Sequence, residues 1–288
     1  MSISRQNLSV VIVTLKSEKV INSCIDSISE NIPIIVVENS NNQQFKDNLE
    51  SKYKNVKCIL SGSNLGMGSG NNIGIKYAKT DYILILNPDI ILDSNALEEL
   101  FLASKNLKEF AILSPINKDL NFPNYKGKKI NEKEGSPFQV TYVDGFSMLI
   151  DKKKFKDNDY FDENFFLYLE NNDLCIKVNK FGWSVFIVPT AKIIHHGAKG
   201  VDSKYKNEIE LSRNWHWVWS KFYFNKKNFS FTKALIECLP TFISSVFKFL
   251  FYFLISNSFK KKIHLNRISG FYNALIGNSS WYRPKIND

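Results

Sequence analysis

Close-set cysteines are missing. The four present, Cys24, Cys58, Cys175 and Cys238, stand far apart, which excludes a zinc knuckle, a CxxC redox pair and the disulfide framework of a small secreted domain. The opening MSISRQN runs straight into a strand-like stretch without an apolar signal segment, and a reduced, cytosolic compartment is expected. Arginine is scarce, with 4 residues against 34 lysines, and asparagine is abundant, so a single Lys or Asn carries little information. Acidic side chains are few in one place only. Residues 199–288 hold 15 basic and 5 acidic groups, whereas residues 1–198 hold 23 of each. The net charge of +10 therefore belongs to the last segment and calls for an anionic partner or surface. Nucleic acid is the poorer explanation, because the rest of the chain is neutral and carries no nucleic-acid module; none is expected.

The 288 residues, 44% apolar and 23% charged, are ordinary for a globular protein and long enough for a large α/β domain with an appendage. Leu8–Thr14, Pro33–Val37, Val56–Leu60 and Tyr82–Leu86 are short, branched apolar runs bounded by polar turns, and each predicts a buried strand. Helical segments are expected between them near Glu18–Ser29, Gln43–Ser51 and Gly68–Ala78, which implies βαβ units and a parallel sheet. Ligands of such sheets sit beyond the carboxyl ends of the strands. Residues 117–138 read as a polar surface excursion, suited to part of a lid. Strands are expected again at Val140–Val143, Ser147–Ile150, Ser184–Val188 and Lys192–His195, with a helix at Glu170–Phe181. From about Lys204 the chain reads as helical to its end.

Four constellations can carry chemistry. Asn87-Pro88-Asp89 follows the strand Tyr82–Leu86, where a carboxylate is placed to hold a divalent ion against phosphates; an Asx-Pro turn is the alternative. Asn64-Leu-Gly-Met-Gly-Ser-Gly-Asn71-Asn72 lies between a strand and a helix, and its glycines allow backbone amides to approach a diphosphate. Glu170 and Asp173 are three apart and share a face if a helix begins there, although acidic residues in a first turn also serve the helix dipole. His195-His196 closes a strand-like run, and at most one of the two can face a site.

In order and spacing these segments, with VVIVT, VVENS, NLGMGSGNNIG, LNPD, VDGFSMLI, FFLYLENNDLC and IIHHGAKG, resemble glycosyltransferase family 2, in its bacterial rhamnosyltransferase-like subgroup. The resemblance covers roughly residues 8–225. It implies an α/β GT-A fold: a Rossmann-like nucleotide half with a mixed central sheet (1–115) and an acceptor half (116–225). Residues 226–288 would be a basic, amphipathic helical extension that associates with membrane. The activity implied is inverting transfer from a nucleoside-diphosphate sugar to a lipid-linked or growing polysaccharide acceptor, with Mg²⁺ or Mn²⁺ as cofactor. By the same resemblance, Thr14 and Glu38 line the nucleoside pocket, and Asn64, Gly66 and Asn72 belong to the loop under the donor. Asn87-Pro88-Asp89 matches the DXD-type motif with Asp89 as the metal-bearing carboxylate, and His195 completes the metal or diphosphate site.

One departure stands out. Many family members carry Glu-Asp where this chain has Glu170-Asn171, and an amide accepts no proton near neutral pH. Glu170 is then the first candidate for the general base and Asp173 the second. A catalytically silent, nucleotide-sugar-binding scaffold is the alternative that Asn171 supports. A sugar-nucleotide pyrophosphorylase would need a basic glycine-rich loop after the first strand, where TLKSEK has no glycine.

The run Leu239–Ile255 is the most apolar in the chain. Its 17 residues make a helix of about 25 Å, short of a bilayer core of roughly 30 Å. Thr241, Ser244, Ser245, Lys248 and Tyr252 form one polar stripe, which suits the membrane interface. Lys260-Lys261-Lys262 beyond it would attract anionic headgroups. Burial against the catalytic domain or in a homo-oligomer interface is the alternative. Trp215, Trp217 and Trp219 alternate along a helix and suit either interfacial anchoring or core packing.

Overall fold

Unbroken Val/Ile runs leave no polar face, so they form strands covered on both sides. The computed structural model describes residues 3–119, 121–127, 135–195, 197 and 200–286. Its elements in order are β1 (Leu8–Thr14), α1 (Ile21–Asp26), β2 (Ile34–Glu38), α2 (Gln43–Lys52), β3 (Val56–Leu60), α3 (Gly66–Tyr77), β4 (Tyr82–Leu86), β5 (Ile90–Leu92) and α4 (Ala96–Asn106). There follow β6 (Phe110–Asn117), β7 (Tyr125–Lys126), β8 (Phe138–Gln139), β9 (Tyr142–Val143), β10 (Ser147–Asp151), α5 (Glu170–Lys180), β11 (Ser184–His195), α6 (Lys206–Asn228), α7 (Phe231–Leu254) and α8 (Ser258–Leu275). The chain divides into two units: Met1–Leu65, Ser69–Phe161 and Leu174–Asp202 in the first, Gly66–Gly68, Asp162–Asp173 and Ser203–Asp288 in the second.

The first unit holds a mixed sheet in the order β3-β2-β1-β4-β10-β6-β11-β5, with β8 on β11. β1 pairs in parallel with both β2 and β4, so strand order reverses around it. The carboxyl ends of β1, β2 and β4 thus open on a topological switch point, where α/β sheets bind ligands. β10 runs antiparallel to β4 and β6. α3 lies close on β1 because its glycines have no side chain: a Cβ on Gly74 would come within 2.4 Å of Val11, and one on Gly70 within 2.8 Å of Val13.

Several expectations are corrected in detail. The two strands foreseen at Ser184–Val188 and Lys192–His195 are one strand, β11, with a register shift between Val188 and Lys192 against β6. Of Val140–Val143 only Tyr142–Val143 is a strand, β9, which pairs with β7, while β8 just before it pairs with β11. The helix expected over Glu18–Ser29 is only Ile21–Asp26. Part of the polar excursion is fastened: the buried Asn124 amide donates to Ser114 Oγ (3.0 Å) and the Pro115 carbonyl (2.7 Å) and accepts from Asn117 N–H (3.0 Å). Residues 120 and 128–134 of the proposed lid, and His196, lie outside the described residues.

In the second unit α6, α7 and α8 bury Trp215, Trp219, Phe222, Ala234, Cys238 and Phe271 in a shared core. Trp215 and Trp219 are four apart on the inner face, whereas Trp217 is 43% exposed. α8 crosses α6 closely at Gly270, where a Cβ would lie 2.4 Å from the Trp215 carbonyl oxygen. The chain is not helical to its end, because α8 stops at Leu275.

α7 also departs from expectation. It has 24 residues, about 36 Å at 1.5 Å each, so length does not exclude a crossing; by length and composition it is sufficient for one. Its polar stripe does not simply face water: Ser245 is buried and Tyr252 stacks on His264 of α8 at 5.5 Å. Ile236, Leu239, Ile243, Phe247, Leu250 and Leu254 are exposed instead. Their spacing of three and four places them along one helix face.

Candidate active site

β1 and β2 end in register at Thr14 and Glu38, both buried. Thr14 Oγ1 donates to the Val37 carbonyl at 3.4 Å. Glu38 closes its own turn: Oε1 accepts from the Ser40 N–H (2.8 Å) and hydroxyl (2.5 Å), and Oε2 from the Asn42 N–H (2.7 Å). Asn64 lies half-buried in the loop before α3. The Asn72 amide is committed within the fold, for it donates to the Phe161 carbonyl (2.9 Å) and accepts the Phe161 N–H (3.0 Å). Gly66 begins α3 at φ +83°. A Cβ there would overlap the Phe166 carbonyl oxygen, and the Met67 N–H donates to that oxygen at 3.0 Å. Close packing therefore requires the absence of a side chain at Gly66, Gly70 and Gly74.

At the exit of β4 the structure brings together Asn87, Asp89 and His195. Asp89 is buried, and its Oδ1 lies 3.6 Å from His195 Nε2. The imidazole packs on Phe146 at 4.2 Å between ring centres. Burial pushes the nearby Cys24 thiol up to about 12, and the Asp89 charge adds to the effect. Asn87 Oδ1 is buried without a hydrogen-bond partner, an unusual expense in a folded protein. Asp144, which the sequence reading left unassigned, is raised from the ordinary carboxylate range by burial, against the pull of Lys126 and His195. A second missed feature is the strand-exit loop: Ser17 Oγ donates to the Gly200 carbonyl (2.6 Å), the Asp202 N–H to the Lys16 carbonyl (2.9 Å), and Lys19 pairs with Asp202 (2.8 Å). That fastens the chain beyond β11 where Gly200 passes Asp89.

These residues fit a divalent ion. A carboxylate oxygen, an imidazole nitrogen and an orphan amide oxygen are donors that Mn²⁺ or Mg²⁺ accepts, with phosphate oxygens completing the shell. Among the described residues no group of three or more His, Cys, Asp or Glu forms a cage, so such an ion would rely on its ligand for further coordination.

Glu170 and Asp173 belong to the second unit and have opposite environments there. Asp173 is committed: Oδ2 accepts from Lys227 and Oδ1 from Asn228, at 2.7 and 2.8 Å. Lys227 also reaches Asp162 Oδ2 at 2.7 Å, joined by the Tyr223 hydroxyl at 3.0 Å. Burial works to raise the Asp162 pKa, yet the bonds from Lys227 and Asn164 outweigh it and hold it below the ordinary value. Glu170 is 8% exposed, and its Oε2 has no hydrogen-bond partner. Burial pushes this carboxyl up to about 7. Tyr168 and Leu169 just before it hold φ of 71° and 67°, a left-handed conformation costing roughly 1–2 kcal/mol per non-glycine residue. Strain beside an unsatisfied carboxylate is a common mark of function. The Asn171 amide donates to Asn172 Oδ1 at 2.9 Å.

A reversed parallel core at β1 and antiparallel β10 inserted beside β4 make this a GT-A-like α/β fold. Residues 9–171 match the model of Glycosyl transferase family 2, more than half of the chain, and the protein belongs to that family. The low-salt glycan biosynthesis hexosyltransferase Agl10 of Haloferax volcanii is 26% identical over 214 residues, covering 66% of this chain and 67% of the relative. The dTDP-rhamnosyl transferase RfbF of Shigella flexneri is 28% identical over 207 residues, covering 66% and 69%. The mannosyltransferase PcManGT of Pyrobaculum calidifontis, solved with GDP-Man and Mn²⁺, superposes with a TM-score of 0.57 at 11% identity over 93% of this chain and 87% of that one.

Proposed function

We propose that the protein transfers a hexosyl or rhamnosyl-type sugar, with inversion, from a nucleoside-diphosphate sugar to a lipid-linked or growing glycan acceptor, with Glu170 as general base. The observation that carries this is the buried, unpartnered Glu170 Oε2 with its pKa near 7. A carboxylate tuned to ambient pH is basic enough to take a proton and still ionised in a substantial fraction of molecules. As the acceptor oxygen bonds to the anomeric carbon, its proton passes to Glu170 and the nucleoside diphosphate leaves with the electron pair of the broken bond. Asp173 is the weaker candidate, because both its oxygens are occupied.

Asp89 and His195 would hold Mg²⁺ or Mn²⁺, with Asn87 Oδ1 facing the same strand end. Such an ion supplies charge stabilisation to the departing diphosphate. Asp89→Ala is expected to abolish the cation dependence of donor binding in calorimetric titrations with GDP- and dTDP-sugars. Unchanged affinity with and without cation would remove Asp89 from the role. Release of nucleoside diphosphate from a panel of such donors identifies the sugar; binding without release from any donor would favour the silent scaffold.

The exposed apolar face of α7, followed by Lys260–Lys262, supports peripheral attachment to an anionic membrane on the cytoplasmic side. Deleting the segment is a poor test, since Ala234, Cys238 and Phe271 belong to the helical core. Replacing Phe247, Leu250 and Leu254 by Ser is expected to move the protein from the membrane to the soluble fraction without lowering Tm. Retention in the membrane fraction would overturn the attachment.

A further inference from the structure

The segment that leads into Glu170 has no helix or strand of its own, yet its backbone is held at successive points by side chains of the second unit. Ser280 Oγ donates to the Asn164 carbonyl at 2.6 Å, and Ser220 Oγ to the Leu167 carbonyl at 2.7 Å. Between them the Phe166 ring packs against the His216 imidazole at 4.5 Å and the Arg283 guanidinium at 3.9 Å. The tail is latched in turn to α6. His216 Nε2 lies 2.8 Å from the Tyr282 carbonyl, which can only accept, so this nitrogen carries the hydrogen. Trp219 Nε1 donates to the Asn278 carbonyl at 3.0 Å. Burial drives His216 down to about 3, so the latch stays neutral across the working range.

Two left-handed residues, Tyr168 and Leu169, separate this clamp from Glu170. Such a conformation persists only where the surroundings over-determine it, and the clamped carbonyls immediately upstream do so. We propose that Ser220, Ser280 and Arg283 are positioning residues that lock residues 164–167 and thereby set the placement and burial of the Glu170 carboxylate. The inference rests on Glu170 being the base. Tyr168 is the titratable group that feels the Glu170 charge, and Arg213 and Glu210 act on Tyr168 in turn; none of the three belongs to the clamp.

The test compares Ser220→Ala and the pair Ser280→Ala/Arg283→Ala with the full-length parent. Freed of the clamp, Glu170 gains water and its pKa falls toward the ordinary value. The rising limb of kcat against pH should then move acidward by about one unit, and kcat should fall about tenfold or more through misplacement, with donor KM unchanged. Amide hydrogen exchange over residues 162–170 should quicken. Ser220→Thr, which keeps the hydroxyl, should restore both. Arg283→Lys should not, because an ammonium has no plane to lay on the ring. Loss of Tm with an unmoved pH limb would show a merely structural clamp and overturn the proposal, as would a parent-like exchange pattern. Undiminished turnover in Glu170→Gln would instead remove the base beneath it, an outcome read in a different variant.

Discussion

Glu170→Gln is expected to lower turnover by about 10²–10⁴-fold, the usual cost of losing a general base, while donor affinity stays within about twofold by calorimetry. Glutamine keeps the volume and both hydrogen-bonding functions but cannot take a proton. In the parent, turnover should fall tenfold per pH unit below about 7, because only the ionised carboxylate accepts the acceptor's proton and burial holds it near that value. Asp173→Asn is the contrasting variant. Its carboxylate bridges to Lys227 and Asn228, so its loss should show chiefly in Tm, as breaking a buried ion pair does. Near-parental turnover in Glu170→Gln together with collapse in Asp173→Asn at unchanged Tm would hand the role to Asp173.

The same substitution should stabilise the protein in alkaline solution. A carboxyl raised from 4.5 to about 7 on folding binds its proton more tightly in the native state. Its favourable contribution is fully present below pH 4.5 and is lost as pH rises through 7. The difference corresponds to on the order of 3 kcal/mol at 1.4 kcal/mol per unit. Glu170→Gln is neutral at every pH and escapes the loss. Thermal unfolding should therefore show a variant more stable than the parent at pH 8, with the gap closing toward pH 4.5. Equal Tm values at pH 8 would mean that the carboxylate finds compensation in solution and is not held in a dry site. Activity and stability would then move in opposite directions on one substitution, as expected where a site is kept at the fold's expense.

Much of this was legible in the sequence, for identifiable reasons. Strands β1 to β4 were plain because both faces of a parallel sheet are covered, which leaves runs such as Val10–Val13 without a polar residue. Asp89 was singled out because a carboxylate after such a run stands at the sheet's ligand edge. The pairing of Asp89 with His195 came from family resemblance, since no spacing rule links positions so far apart. The close packing of the glycine run was not legible: turn chemistry suggests an anion cradle, whereas contact with Val11, Val13 and Phe166 is a tertiary fact. The bent segment before Glu170 was invisible for a similar reason, because Tyr168 and Leu169 are not residues that favour positive φ. The exposed face of α7 was legible as a greasy run, but which of its edges α8 covers was not.

The clamp on the Glu170 segment also bears on how the chain reaches its native state. Asn164 and Ser280 are 116 positions apart, and Leu167 and Ser220 are 53 apart. Closing loops of that length costs chain entropy before any contact rewards it, and such non-local contacts form slowly. The pairings of β1 with β2 and of β2 with β3, and the hairpin of α7 on α8, involve shorter separations, whereas β1 meets β4 across a longer one. The Glu170 segment is thus expected to acquire its final conformation on refolding after β1, β2 and β3 have paired and after α7 has folded on α8.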